Sequence, residues 1–285
     1  MSLQLNGVAF VTGAGSGIGQ ACVQQLVRDG CSRIVATDIN REGLARTKAM
    51  GESIRADVHI VVDAGDITDA HTVERLITLT VSTFGRLDYG LNIAGITGAQ
   101  NLIPLLQPEQ YDEVQHINAR AVWLCERAEI AQMLTQEPLP SHDGRPGSKG
   151  SIVNVASICG LVGFPNSTPY TMSKHAVIGL VRSDSTTFAN QGIRVNALCP
   201  GIIDTPLIKP EHRQFSLDYA QRFTPMGRLG TAQEIADVAT FLGQPTSLAR
   251  SLPLMVAIRL NSVEIYTNAI GQCVSIEKRL HGGGA

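Results

Sequence analysis

Apolar, β-branched runs alternate with helical patterns along most of this chain. Val8-Ala9-Phe10-Val11 reads as a strand, followed by a helix from Ile18 to Arg28 that Gly30 ends. Arg33 to Thr37 reads as a second strand that runs out at Asp38, and Val58 to Val62 as a third. A helix from Thr68 to Phe84 leads to a fourth strand, Leu87 to Leu91, and then to a long helical pattern from Pro108 to Leu134. Ser151 to Ala156 is the fifth strand. The pattern from Tyr170 to Asn190 is a helix that ends near Gly192, before a sixth strand from Ile193 to Leu198. Thr231 to Leu242 is a helix with Thr231 as N-cap and Glu234 at the capping-box position.

Strand–helix alternation of this kind predicts an α/β protein built on a doubly wound parallel sheet. Uninterrupted apolar stretches such as Ile152-Val153-Asn154-Val155 fit central strands covered on both faces. No internal repeat is visible. Gln136 to Gly150, with three Pro and three Gly, reads as a surface loop because a strand follows at once. The expectation is one domain over residues 1–285, with 243–285 as an atypical C-terminal segment.

Composition narrows the function classes. The chain has 285 residues, 44% hydrophobic and 17% charged, enough for a large core, with a net charge of -2. No basic stretch recurs, which argues against nucleic acid as a partner. Six Cys at 22, 31, 125, 159, 199 and 273 form no Cys-x-x-Cys and suit reduced thiols in the cytoplasm. The first residues lack the basic region and apolar run of a signal peptide. The late apolar run from Leu252 to Leu260 holds a Pro and an Arg and falls far short of the ~20 residues of a membrane span. The His residues show no metal-ligand spacing, so no metal is expected.

Two clusters carry candidate chemistry. Gly13, Gly17 and Gly19 follow a strand and open a helix, where bare amides and the helix N-terminus favour a pyrophosphate. Their spacing is Gly-x-x-x-Gly-x-Gly rather than Gly-x-Gly-x-x-Gly. Asp38 ends the next strand, where a carboxylate binds a ribose 2′-hydroxyl and repels a 2′-phosphate; this favours NAD over NADP, with Arg41 nearby as a counterweight. The second cluster is Tyr170 and Lys174, four apart on one helical face. An ammonium beside a phenol is expected to lower the Tyr pKa from about 10 and make it a usable base.

With Thr12-Gly13-Ala14-Gly15-Ser16-Gly17-Ile18-Gly19, Gly65-Asp66-Ile67, Asn92-Ile93-Ala94-Gly95, Asn118, Ser157, Tyr170, Lys174 and Pro200-Gly201-Ile202-Ile203-Asp204-Thr205, the chain resembles the short-chain dehydrogenase/reductase family from about residue 5 to about residue 242. The resemblance implies a Rossmann-type fold, a homodimer or homotetramer, and a role for each of these positions. Tyr170 would be the acid/base and Ser157 would bond the substrate oxygen. Lys174 would bind the nicotinamide ribose and tune Tyr170, and Asn118 would hold a water of a proton relay. Asp66 would take the adenine amino group, and Asn92 would stabilise the central strand. Ile203 and Thr205 would hold the carboxamide. Cofactor contacts would also run through Gly13, Ser16, Gly17, Ile18, Gly19, Asp38, Ile67, Ala94, Gly95, Pro200 and Gly201.

The chain departs from the family pattern twice. Asn-Ile-Ala-Gly replaces the more usual Asn-Asn-Ala-Gly, and the tail from Gly243 to Ala285 lacks the Asp-Gly-Gly that normally follows the last strand. Tyr266-Thr267, with Gly271 and Val274, reads as a displaced echo of that strand. Asp204 to Met226 is expected to cover the substrate through Leu207, Ile208, Phe215, Tyr219, Phe223, Pro225 and Met226. Ile96, Ile158, Leu161, Val162 and Phe164 flank the catalytic face. Cys159 and Cys199 read as small buried hydrophobes, and Trp123 as core or subunit interface.

The expected activity is NAD-dependent interconversion of a lipophilic secondary alcohol and its ketone. The proline-bearing loop before the fifth strand is similar to fungal members, which suggests a terpenoid or polyketide intermediate. Two alternatives stand beside it: redox-neutral isomerase or cyclase chemistry on the same fold, and an inactive dinucleotide-binding scaffold caused by the altered tail.

Overall fold

The computed structural model describes residues 5–140 and 147–244, and the backbone of three further strands at 254–259, 262–267 and 273–274. Six parallel strands form where the apolar runs lie: β1 (Val8–Thr12), β2 (Arg33–Asp38), β3 (His59–Ala64), β4 (Tyr89–Asn92), β5 (Gly150–Val155) and β6 (Ile193–Pro200). Two-residue strands β7 (Ile203–Asp204) and β8 (Gly230–Thr231) pair with each other apart from the main sheet. The tail contributes β9 (Leu254–Arg259), β10 (Ser262–Thr267) and β11 (Cys273–Val274). The main sheet runs in the order β11-β10-β9-β6-β5-β4-β1-β2-β3. Strand order reverses between β1 and β4, which opens a crevice at their carboxyl ends.

Helices cover both faces. On one lie α1 (Gly17–Arg28), α2 (Arg41–Ile54) and α8 (Ala232–Gly243), packed around Val11, Val23, Leu26, Ile34, Leu91 and Leu242. On the other lie α3 (Ala70–Phe84), α5 (Ala121–Leu134) and α6 (Thr168–Phe188), packed around Phe10, Leu76, Leu87, Met133, Ile152 and Val195. α4 (Pro108–Gln115) packs against α6, and α7 (Pro210–Phe223) follows β7. Burial of every β5 residue and all but one of β6 explains why those runs show no alternation.

Local signals account for most helix ends. Asp69 caps α3 by accepting from Thr72 N at 2.9 Å, and left-handed Gly85 stops it. At α8 the capping box is complete: Thr231 Oγ1 accepts from Glu234 N at 3.2 Å, and the Glu234 carboxylate accepts from Thr231 N at 2.7 Å. Thr231→Ala removes that bond. It is expected to destabilise the protein by about 1 kcal/mol, read as a lower urea midpoint with unchanged slope. An unchanged midpoint would mean that the box contributes nothing.

Three expectations are corrected. The pattern from Pro108 to Leu134 is not one regular helix: a π-helical turn, His116–Arg120, separates α4 from α5. Trp123 is 46% exposed, so it is not core, and the Arg127 guanidinium lies 5.9 Å from its ring centroid. The next parallel strand beside β6 is β9, in register from Ala197 opposite Met255 to Pro200 opposite Ile258. Tyr266 and Thr267 lie instead on antiparallel β10 and are no echo of that strand; Gly271 lies outside the described residues.

Candidate active site

β1 ends in the glycine-rich turn. Gly13 takes φ +66, and a Cβ there would stand 2.7 Å from Ala94 N, so the turn can press against the end of β4 only without a side chain. Thr12 Oγ1 ties the same two segments, accepting from Ile93 N at 3.0 Å and Ala94 N at 3.3 Å. Ser16, the N-cap of α1, makes no side-chain capping bond, which leaves first-turn amides of the helix without that acceptor. A groove of about 510 Å³ opens over this turn. Gly13, Ser16, Gly17, Ile18 and Gly19 line it at the turn, Asp38, Asp66 and Ile67 at one end, and Ala94 and Gly95 below.

Asp38 sits directly beside the turn. Its carboxylate accepts from Gly15 N at 2.9 Å and from Asn40 N at 2.8 Å. These bonds hold a negative charge at the groove wall without a cationic partner among the described ion pairs. Asp66 accepts from Thr68 N at 2.9 Å, which fixes the loop after β3. The bare turn, the open helix N-terminus and the carboxylate at the second strand end together fit a dinucleotide.

The groove runs into a second cavity of about 210 Å³, and Ile18, Ile93, Gly95, Thr205 and Leu207 line both. Ser157, Tyr170 and Lys174 all face this cavity. Ser157 follows β5 and opens a short turn, its Oγ accepting from Cys159 N at 3.1 Å. Tyr170 and Lys174 lie one turn apart on α6. Lys174 is 3% exposed and donates to Val155 O at 2.8 Å. Pro200, Gly201 and Ile203 wall the cavity after β6, with Thr205 beyond. Much of the remaining wall is apolar, from Ile158, Phe164, Leu207, Ile208 and Phe215. Tyr219 backs it, 5.4 Å from Phe164 between ring centroids. Leu161, Val162, Phe223, Pro225 and Met226 do not line it, and Ile96 lines the dinucleotide groove instead.

Asn118 lies in the π-helical turn and is fully buried. The turn aims its amide at the loop after β4: Oδ1 accepts from Ile96 N at 2.8 Å, and Nδ2 donates to Ile96 O at 2.8 Å and to Ser173 Oγ at 3.2 Å. A Cβ on Gly95 would stand 3.1 Å from Asn118 Oδ1 and 3.5 Å from Lys174 Nζ, so these groups converge on one point. Asn92, expected among the cofactor contacts, is not among the groove-lining residues. Its amide turns to the opposite side, toward Glu129 and Asn154.

The electrostatics correct one expectation. Tyr170 is not drawn down by Lys174. Burial pushes its phenol up to about 12; a hydrogen bond with Ser157 opposes the rise and Cys159 adds to it. Lys174 lies 5.7 Å from the ring centroid and spends a proton on Val155 O, so desolvation wins over attraction. Lys174 is itself lowered to about 8 by burial. The Cys159 and Cys199 thiols are both pushed up by burial and stay protonated, as small buried hydrophobes do. The bonds of Thr12 across to the end of β4 give it a structural role that the glycine spacing does not announce. Gln100 and His212 also line the cavity, and no local signal marks them in the sequence.

Comparison with known proteins bears on the family and the fold. A family model described as "Enoyl-(Acyl carrier protein) reductase" matches residues 13–249. The short-chain dehydrogenase srdC of Neurospora crassa is 35% identical, covering 85% of this chain and 92% of that protein. Among solved structures, levodione reductase superposes with a TM-score of 0.76 at 33% identity, over 84% of this chain and 91% of its own. ElxO with NADP bound superposes with a TM-score of 0.75 at 30% identity, over 85% and 93%. The chain belongs to the short-chain dehydrogenase/reductase family, whose fold binds a nicotinamide dinucleotide and carries out oxidation and reduction. No helix among the described residues is long and apolar enough to cross a membrane.

Proposed function

We propose that this protein interconverts a lipophilic secondary alcohol and its ketone, with NAD as the preferred cofactor and Tyr170 as acid and base. One observation carries the reading: Ser157, Tyr170 and Lys174 face a largely apolar cavity that opens into a groove bordered by Asp38. Bound there, the nicotinamide supplies the hydride acceptor or donor. Gly13, Ser16, Gly17 and Gly19 would hold the pyrophosphate, Asp38 a ribose hydroxyl, Asp66 and Ile67 the adenine end, and Thr205 the carboxamide end.

The chain's own groups handle the oxygen and its proton. Ser157 orients the substrate oxygen. Neutral Tyr170 donates its proton to that oxygen as a ketone is reduced, and takes it back as an alcohol is oxidised. Lys174 would hold the nicotinamide ribose, and Asn118 holds the loop at which Lys174 and Gly95 meet. The apolar walls exclude water from the reacting carbon and accept a hydrocarbon skeleton such as that of a terpenoid or polyketide intermediate. Exposed Trp123 on α5 is surface available to a second copy in a homo-oligomer, and buried thiols suit the cytoplasm.

The test is a panel of cyclic and open-chain secondary alcohols and ketones, followed at the absorbance band of the reduced nicotinamide with each cofactor. Turnover is expected for bulky apolar members and only weak turnover for short polar ones. A binding dinucleotide with no redox turnover across the panel would move the reading to redox-neutral chemistry.

A further inference from the structure

Behind β4 and β5, under α5, lie two glutamates that the reaction above does not use. Glu126 and Glu129 are 1% and 0% exposed. Each holds an amide of the sheet. Asn92 Nδ2 donates to Glu129 Oε2 at 2.9 Å and to Asn154 Oδ1 at 3.0 Å, and Asn154 Nδ2 donates to Glu126 Oε2. Asn92 and Asn154 are partners in the β4–β5 register, so acids and amides form one chain across two strands. The space was made for it: a Cβ on Gly90 would stand 2.6 Å from the Glu129 carboxyl.

The hydrogen-bond count leaves a gap. Glu129 Oε1 and Asn92 Oδ1 are both buried without a donor among the described residues. Two buried acceptors on one acid–amide pair are satisfied together by one proton on the acid, which closes a ring of two hydrogen bonds. An ionised carboxylate in this place would be a buried charge, and no cation among the described residues acts on either glutamate. Burial accordingly pushes Glu129 up to about 8 and Glu126 well above the ordinary carboxyl range. The titratable groups facing the pair are Cys125 and Glu126 on α5 itself and Asp184 on α6. From β4 and β5 it meets amides, and the buried residues of α3 (Val73, Leu76, Ile77 and Thr80) do not titrate.

We propose that Glu129 is a positioning residue: held as a neutral acid, it locks Asn92, and through Asn92 the segment Ile93 to Gly95 that floors both the dinucleotide groove and the substrate cavity. This rests on the dehydrogenase reading for its functional consequence. Ile93 and Ala94 carry the bonds to Thr12, and Gly95 meets Asn118 and Lys174. Losing the proton places a charge behind this floor and breaks the ring.

The sign follows from linkage. Folding raises the pKa of Glu129, so its contribution to stability is complete below the unfolded carboxyl value of 4.5. It falls as pH rises toward about 8 and is gone above that. Three proteins test this: wild type, Glu129→Gln, which keeps both bonds without a titrating proton, and Glu129→Leu, which keeps neither. Infrared difference spectra of wild type against Glu129→Gln should show a protonated carboxyl band near neutral pH that fades as the pH passes about 8. Over the same range the wild-type dissociation constant for NAD+ should rise about tenfold more than that of Glu129→Gln, which keeps only the dependence that Lys174 brings as it loses its charge near pH 8. Glu129→Leu should bind weakly at every pH while remaining folded by circular dichroism. If Glu129→Leu fails to fold, the first two proteins still decide the matter. A missing carboxyl band, or equal pH dependence in wild type and Glu129→Gln, overturns the proposal. Absence of dinucleotide binding at every pH, with the band present, overturns the dehydrogenase reading instead and removes the positioning role with it.

Discussion

Tyr170→Phe is expected to lower turnover in both directions by about 10²- to 10⁴-fold, the usual contribution of a positioned acid or base. Dinucleotide affinity should stay close to that of wild type. The ring stays in place against the cavity; only the hydroxyl that exchanges a proton with the substrate oxygen is lost. The pH dependence of the wild type sharpens the test. With Tyr170 held at about 12, the phenolate is scarce near neutrality. Oxidation, which needs it, should rise about tenfold per pH unit there. Reduction uses the neutral phenol and should be nearly flat until Lys174 loses its charge near pH 8. Steady-state rates in both directions across pH measure this. Oxidation that is independent of pH near neutrality would mean that burial does not set the Tyr170 pKa in the working complex. An active Tyr170→Phe would remove Tyr170 from the mechanism.

The second large effect concerns cofactor choice. Asp38→Ala is expected to weaken NAD+ by about 10- to 100-fold, the range for losing hydrogen bonds to a charged group, and to improve NADP+. The carboxylate also holds Gly15 N and Asn40 N, so part of the loss will come from a looser turn. Asp38→Asn separates the two causes: it keeps an acceptor for the turn and removes the charge. Titration calorimetry with both cofactors reads the result. Preference for NADP+ in the wild type would overturn the argument from Asp38 and shift the working direction toward ketone reduction.

These experiments target residues that the chain announces in different ways. The six apolar runs give the parallel strands because each is long enough and apolar enough to be buried on both faces. The turn from Gly13 to Gly19 and the Tyr170–Lys174 pair are legible because local geometry, a strand entering a helix or one helical face, fixes their spacing. Helix α2 gave no comparable signal: its apolar positions are few, Gly43 and Gly51 interrupt it, and only Gly43, Leu44, Thr47 and Gly51 are buried. Helix α7 is similar, with only Ser216 and Ala220 buried and with Phe215 and Phe223 exposed. Of its aromatic residues expected over the substrate, Phe215 lines the cavity and Tyr219 backs it, whereas Phe223 does not line it. The π-helical turn at Asn118 is equally silent, because one added residue per turn leaves no mark in the hydrophobic pattern.

The sequence by itself determined the six strands β1 to β6, the α/β class, the glycine-rich turn and the candidate catalytic side chains, all of which depend on neighbours a few residues apart. Tertiary structure decided the rest. It set Tyr170 high and Lys174 low, because desolvation depends on what closes around a side chain from distant segments. It turned Asn92 away from the groove and paired it with Glu129, 37 positions along the chain, and it placed β9 beside β6. Such pairings come from packing across the sheet, and no spacing within a single element encodes them.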